Sequence, residues 1–236
     1  MDWPWEIAER DHELQNPTSV EKILLLGSYL RLNPESRVLD LACGKGGPAT
    51  ILTSTYGCRI TGVEIRAAFA DAARERIAAV GLDGLVEIHT ADAATFPLEP
   101  ESLDAALCLG AAFVWGTIAD AAAVLVPAVR PGGYVAIGEP YWRRLPLPDG
   151  IDPEGFVSLP ETVERLESAG VALTGIIAAS EDDWDRYESL HWRAMEEWLP
   201  DHADESIAAR HEQRRGDYLR RRRPLLGWAI FVGRKR

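Results

Sequence analysis

The segment VLDLACGKGGPA, Val38 to Ala49, limits what this chain can fold into more than any other stretch. Val38 to Leu41 is a short apolar run broken by one carboxylate, Asp40; Gly44, Gly46 and Gly47 follow, and Pro48 suits the first turn of a helix. The next ninety residues repeat that alternation. Pro48 to Tyr56 reads as helix, Arg59 to Glu64 as strand, Ala67 to Val80 as helix closed by Gly81, and Leu85 to His89 as strand. Asp104 to Leu109 is a fourth strand, Ala119 to Val129 a helix ended by Pro131-Gly132-Gly133, and Tyr134 to Gly138 a fifth strand. Strands alternating with helices predict an α/β fold: parallel strands, right-handed crossovers, helices on both faces of the sheet, and ligands outside the carboxyl ends of the strands.

The flanks are less regular. Thr18 to Glu21 reads T-x-x-E, a capping box that opens an amphipathic helix stopped by Asn33-Pro34. Beyond Gly138 come a proline-rich loop, Leu145 to Pro153, and a second capping box, Ser158 to Glu161, with a helix running to Gly170. Val171 to Ala179 is a sixth strand, helices follow at about 182–199 and 203–222, and Gly227 to Val232 is a seventh strand. There is no internal repeat, so 1–236 reads as one domain. Residues 1–34 form its arm and first helix, and 140–160 and 181–222 an insert and lid helices on the substrate side.

The formal charge is −12, which argues against nucleic acid, because sequence-independent affinity for a phosphate backbone comes from Lys and Arg displacing counterions. The balance is uneven: from residue 201 onward ten basic residues face five acidic ones, centred on Arg220 to Arg223. Cys43, Cys58 and Cys108 form no even framework and no CxxC spacing, so they read as reduced thiols without a metal. With no apolar run near the roughly 20 residues a spanning helix needs, no membrane partner and a cytoplasmic location are expected.

VLDLACGKGGPA resembles the cofactor loop of class I S-adenosylmethionine-dependent methyltransferases, in the variant where the first glycine of GxGxG is alanine, Ala42. The resemblance implies a Rossmann-like three-layer sandwich whose last strand inserts antiparallel, giving the order 3-2-1-4-5-7-6. It also implies S-adenosylmethionine as cofactor. Ala42, Gly44 and Gly46 would let the backbone approach the amino-acid part of that cofactor, and Asp40 would face its ammonium group. Glu64, ending the second strand, would take ribose hydroxyls, with Ile65 on the adenine face. Asp92 would accept from the adenine amine beside the backbone of Ala93, and Leu109-Gly110 would line the methionine part. Gly44, Gly46 and Ala49 also satisfy G-x-G-x-x-A, so an NAD(P)-dependent oxidoreductase is the alternative, although Asp40 would set like charge against a pyrophosphate. A non-catalytic, cofactor-binding regulatory protein is a further one.

The acceptor reads as a small molecule. After the fourth strand stands GAAFVWG, where enzymes of this fold that methylate nucleic acid bases carry an Asn- or Asp-Pro-Pro-aromatic turn. Phe113, Trp115, Tyr141, Trp142 and Trp184 are expected to wall the acceptor pocket. If the acceptor arrives protonated a base is needed, and the candidates are His191, on a helix face shared with Trp184, Glu188, Met195 and Trp198, His12 in the arm, and Glu139 with Tyr141 after the fifth strand. GEPYWR and WDRYE together also resemble segments of a poorly characterised bacterial branch of the family, as strand end and lid.

Overall fold

Each short apolar run becomes a strand wherever a helix on either side can cover it. The structure, a computed structural model, describes residues 3–202 and 204–236. In chain order the elements are α1 (Trp5–Ala8), α2 (Val20–Tyr29), β1 (Arg37–Leu41), α3 (Gly47–Tyr56), β2 (Arg59–Glu64), α4 (Ala67–Ala79), β3 (Val86–Thr90), β4 (Leu103–Leu109), α5 (Ile118–Leu125) and β5 (Val129–Trp142). They continue with α6 (Leu159–Ser168), β6 (Val171–Ala178), α7 (Glu181–Trp198), α8 (Glu205–Asp217) and β7 (Leu226–Lys235). The strands make one sheet of order β3-β2-β1-β4-β5-β7-β6. β1 to β5 pair in parallel, whereas β7 runs antiparallel to both β5 and β6. This is the topology that the loop resemblance implied.

Two cores sandwich the sheet. One holds Val38 and Ile60 with Ile23 and Leu26 of α2, Leu52 of α3 and Ile77 of α4; the other holds Leu39, Leu41, Val135 and Ile137 with Ile118 and Leu125 of α5 and Leu166 of α6. Alternate residues of a strand point to opposite faces, so Asp40, between Leu39 and Leu41, lies on the α2/α3/α4 side. A third, smaller cluster joins the arm to the C-terminal helices: Trp3 and Ala8 pack with Met195 and Ile207.

Several element ends differ from the sequence pattern for local reasons. The cap of α2 is Ser19, whose Oγ accepts from the Lys22 amide at 3.3 Å, and not Thr18, which is buried with its own amide donating to Asn16 O. α5 ends early because Pro127 turns its last residues into a 3₁₀ segment. β5 runs on to Trp142 because β7 pairs with it as far as Trp142↔Leu226. The expected helix over 203–222 starts at a residue, Ala203, outside the described ones; α8 itself is capped by Asp204, and a π-helical turn over Tyr218–Arg222 follows it. That turn uses the basic run: Arg222 pairs with Asp217 and Glu154, and Arg223 with Asp185 of α7 at 2.9 Å. No described helix is long and apolar enough to cross a membrane.

Candidate active site

The site starts at the end of β1. Asp40 sits between parallel neighbours Gly62 and Leu107 and is 1% exposed, and its Oδ2 has no hydrogen-bond partner. Burial, helped by the charge of Glu64, pushes its pKa up to about 7. Glu64, also buried at the end of β2, accepts from the Gly44 amide at 3.0 Å and the Arg66 amide at 2.8 Å. The loop between β1 and α3 turns through left-handed conformations at Ala42 (φ 57°), Gly44 (φ 56°) and Gly46 (φ 70°). For alanine that region costs roughly 1 kcal/mol, the kind of strain that collects at functional loops.

A cavity of about 520 Å³ opens in front of this loop, within the usual range for a small-molecule site. Its floor includes Asp40, Ala42, Gly44, Glu64, Ile65, Leu109 and Gly110. The arm forms the opposite wall. Gln15 Oε1 accepts from the Lys45 amide at 2.6 Å, Asn16 Nδ2 donates to Leu109 O at 2.7 Å, and Lys45 Nζ donates to Glu9 O and Arg10 O at 2.7 and 2.9 Å. The arm comes so close that a Cβ on Gly44 would stand 2.0 Å from Gln15 Oε1, and one on Gly110 2.1 Å from Asn16 Oδ1. These two glycines therefore make room for the arm.

Beside the cavity lies a buried acid–histidine cluster. His191 Nε2 is 3.2 Å from Glu9 Oε1, and Tyr187 Oη donates to the same oxygen at 3.3 Å. His12 Nε2 donates to Tyr187 O at 2.9 Å, and its ring lies 4.3 Å from that of His191. Burial first, and then the charge of His191, push the His12 pKa down to about 4. For Glu9 burial acts upward, but the hydrogen bond and charge of His191 outweigh it and hold the carboxyl below its ordinary range. Glu9 Oε2, His12 Nδ1 and His191 Nδ1 are buried without partners. Glu9 and Tyr187 line the cavity.

Similarity to known proteins decides what kind of site this is. A family model described as a methyltransferase domain matches residues 39–137. The Escherichia coli K12 protein YjhP, itself uncharacterised, is 32% identical over 98% of this chain and 98% of its own length. The crystal structure of a SAM-dependent methyltransferase from Thiobacillus denitrificans, in complex with S-adenosyl-L-homocysteine, superposes with a TM-score of 0.91 at 32% identity, covering the whole of both chains. The 27-O-demethylrifamycin SV methyltransferase of Amycolatopsis mediterranei is 29% identical over 89% of this chain and 81% of its own. The chain belongs to the S-adenosylmethionine-dependent methyltransferases. S-adenosylmethionine is its cofactor, and the nicotinamide alternative falls away.

In this methyltransferase the predicted residues divide sharply. Seven expected at the cofactor, Asp40, Ala42, Gly44, Glu64, Ile65, Leu109 and Gly110, line the one cavity. Gly46 caps α3 and does not line it; Asp92 is exposed, its Oδ1 accepting from the Ala94 amide at 2.9 Å, and Ala93 is buried in the α5/α6-side core.

The acceptor residues need larger correction. Only Phe113 of them lines the cavity, 76% exposed at its mouth. Tyr141 packs on the α5/α6 side, edge-on to Phe231, with its ring over Gly227. Strand alternation puts Glu139 on that same side, where burial raises its pKa to about 7 against the pull of Arg165 on α6. Both point to the face opposite Asp40. Trp142 is core, its Nε1 donating to Pro153 O at 3.0 Å; Trp184 is buried between Tyr187 and Tyr218; Trp115 packs against the α5/α6-side core. His191 and His12 adjoin the site through Glu9 and Tyr187.

Trp5, Glu9, Gln15, Asn16, Lys45 and Tyr187 also stand in or against the cavity, and no motif in the sequence marks them. Two weak signals were present: Glu9 precedes His12 by three residues, and Tyr187 precedes His191 by four, the spacings at which helical neighbours meet.

Proposed function

We propose that this enzyme methylates a small-molecule acceptor held between the floor formed by β1, β2 and β4 and a wall formed by the arm and α7. The observation that carries the reading is Asp40, a buried carboxylate in the lining of the cavity whose Oδ2 has no partner. An ammonium group is the donor it lacks, so the residues fit S-adenosylmethionine. When bound, that cofactor supplies a sulfonium-borne methyl group for in-line displacement by the acceptor.

The chain's own residues do the holding. Asp40 would take the ammonium, directly or through water; Ala42 and Gly44 would keep the loop close; Glu64 would take ribose hydroxyls once it releases the Gly44 amide; Ile65 would offer an apolar face; Leu109 and Gly110 would line the methionine part. Gly46 sets the start of α3 behind that loop, and Asp92 with Ala93 lies outside the cavity lining. Fixing two reactants in near-attack geometry supplies on the order of 7 to 11 kcal/mol of a barrier. The arm and α7 would hold the acceptor and exclude water as a lid.

Trp5, Phe113, Val114 and Tyr187 give the acceptor side an apolar wall. The relative named for 27-O-demethylrifamycin SV supports a small molecule, and the charge of −12 counts against a nucleic acid. The three cysteines are free and buried, which suits the cytoplasm. Calorimetry with S-adenosylhomocysteine tests the site: micromolar binding is expected, and Glu64→Ala should weaken it by about 1 to 3 kcal/mol through lost charge-assisted bonds. Equal binding by the variant would move the cofactor elsewhere.

A further inference from the structure

We infer that Glu9 is the carboxylate that receives the methyl acceptor, and that the acceptor reaches it with an N–H or O–H group, as an amine or a hydroxyl compound and not as a carboxylic acid. The inference rests on the cavity being the cofactor and acceptor site, and it specifies the acceptor's chemistry within that reading.

The hydrogen bonds around Glu9 leave one position open. A carbonyl only accepts, so His12 Nε2, 2.9 Å from Tyr187 O, carries its proton and is committed there. Glu9 Oε1 takes two donors, Tyr187 Oη and His191 Nε2. Lys45 Nζ, reaching the arm from the loop between β1 and α3, is used by the carbonyls of Glu9 and Arg10. Glu9 Oε2 has no partner at hydrogen-bond distance, although the Gln15 side chain lies near enough to help hold the carboxyl down, and the residue is 5% exposed and lines the cavity. A buried anionic oxygen without a donor is costly, and here the space that could supply one is the cavity.

The charge of the walls narrows the partner. Among the described residues lining the cavity four are acids, Glu9, Glu13, Asp40 and Glu64, and only Arg66 is basic. A carboxylate acceptor would bring like charge against Glu9, and the guanidinium of the lining, Arg66, is exposed and lies over Phe69. An amine or hydroxyl group satisfies Oε2, while Trp5, Phe113, Val114 and Tyr187 take its apolar part.

A metal ion is the rival occupant, because one ligand atom each from Glu9, His12 and His191 lies within 4.8 Å of the others. The hydrogen bonds disfavour it. The Nε2 atoms of His12 and His191 face oxygen acceptors and carry protons, which leaves only the unpartnered Nδ1 atoms to ligate, and neither histidine lines the cavity.

The test uses the full chain saturated with S-adenosylhomocysteine at pH 7.5, with benzylamine, phenol, benzoate and toluene titrated by ligand-observed NMR. Binding of S-adenosylhomocysteine, read first, reports on the cofactor site by itself; the ranking of the fragments reports on Glu9. Benzylamine and phenol should bind at least about tenfold tighter than benzoate, and Glu9→Gln should erase that margin for benzylamine while changing S-adenosylhomocysteine affinity less than about threefold. Glu9→Asp, which keeps the charge, should preserve the order with weaker binding, so the inference stays testable if the Gln variant folds poorly. Equal binding of benzoate and benzylamine by the parent protein, an unchanged ranking in Glu9→Gln, or one equivalent of zinc or iron retained per purified chain would each overturn the assignment.

Discussion

Asp40 and Tyr141 show how little residue type says without position. Asp40 ends a buried strand with one oxygen unpaired, so in the absence of ligand its charge is a liability that neighbouring Glu64 deepens. Asp40→Asn keeps the shape and removes the charge. Above pH 7 it should stabilise the ligand-free protein by about 1 to 3 kcal/mol and weaken S-adenosylhomocysteine by about tenfold or more. Thermal melts and calorimetry on the same preparation would read both, and a variant that is less stable but binds normally would place the ammonium elsewhere. Tyr141 is the reverse case. Its ring covers Gly227 and packs on Phe231, so Tyr141→Phe should leave both turnover and cofactor affinity within about twofold, once an acceptor is in hand, since the ring's packing survives. A large loss of turnover would bring its hydroxyl back into the site.

Helix α7 is the element through which the site depends on the rest of the chain. It carries Tyr187 and His191, and its first turn is fixed by a reciprocal cap: Asp183 accepts from Ser180 while Ser180 Oγ accepts from the Asp183 amide at 3.1 Å, and Lys22 of α2 also pairs with Asp183. Asp183→Ala removes the reciprocal half of the cap and leaves Lys22 without Asp183, and should cost about 1 to 3 kcal/mol in denaturant unfolding. A change within a few tenths of a kcal/mol would mean that α7 is held by its apolar face alone.

What the sequence revealed divides by element in the same way. β1 to β4 and their helices were legible because each apolar run is short, ends in glycine or an acid, and is followed by a helical pattern. The acids at the ends of β1 and β2 were legible because their order along the chain is also their order at the cavity. The face of Glu139 and Tyr141 was not: β5 is buried on both sides, with Tyr134 and Ala136 in one core and Val135 and Ile137 in the other, so no polar alternation marks which residues look where. Nor was the arm. α1 is four residues long, and what makes Glu9 part of a site is Tyr187 and His191, some 180 positions away, a tertiary fact no local pattern encodes.

At the scale of the whole molecule the buried titratable groups couple folding, pH and cofactor binding. Asp40 and Glu139 have folded pKa values raised from 3.8 and 4.5 to about 7, so the stability they allow is fully present below their unfolded values and lost as pH rises through 7. His12 is lowered from 6.5 to about 4, so it contributes stability present above 6.5 and lost as pH falls through 4. Between about pH 4.5 and 6.5 these two carboxyls, joined by Glu188, whose carboxyl burial also raises, oppose one imidazole, so the folded state binds more protons than the unfolded and ligand-free stability should fall by at least about 1 kcal/mol for each unit of rising pH. An ammonium group placed against Asp40 reverses its share, because the opposite charge favours ionisation and expels the proton. At pH 6, binding of S-adenosylhomocysteine should therefore release about one proton, measured as the dependence of calorimetric enthalpy on the ionisation enthalpy of the buffer, and Asp40→Asn should abolish that dependence. The same enthalpy in all buffers for the parent protein would detach Asp40 from the ammonium; release that persists in Asp40→Asn would pass the role to another buried acid, with Glu139 excluded by its place on the far face of the sheet.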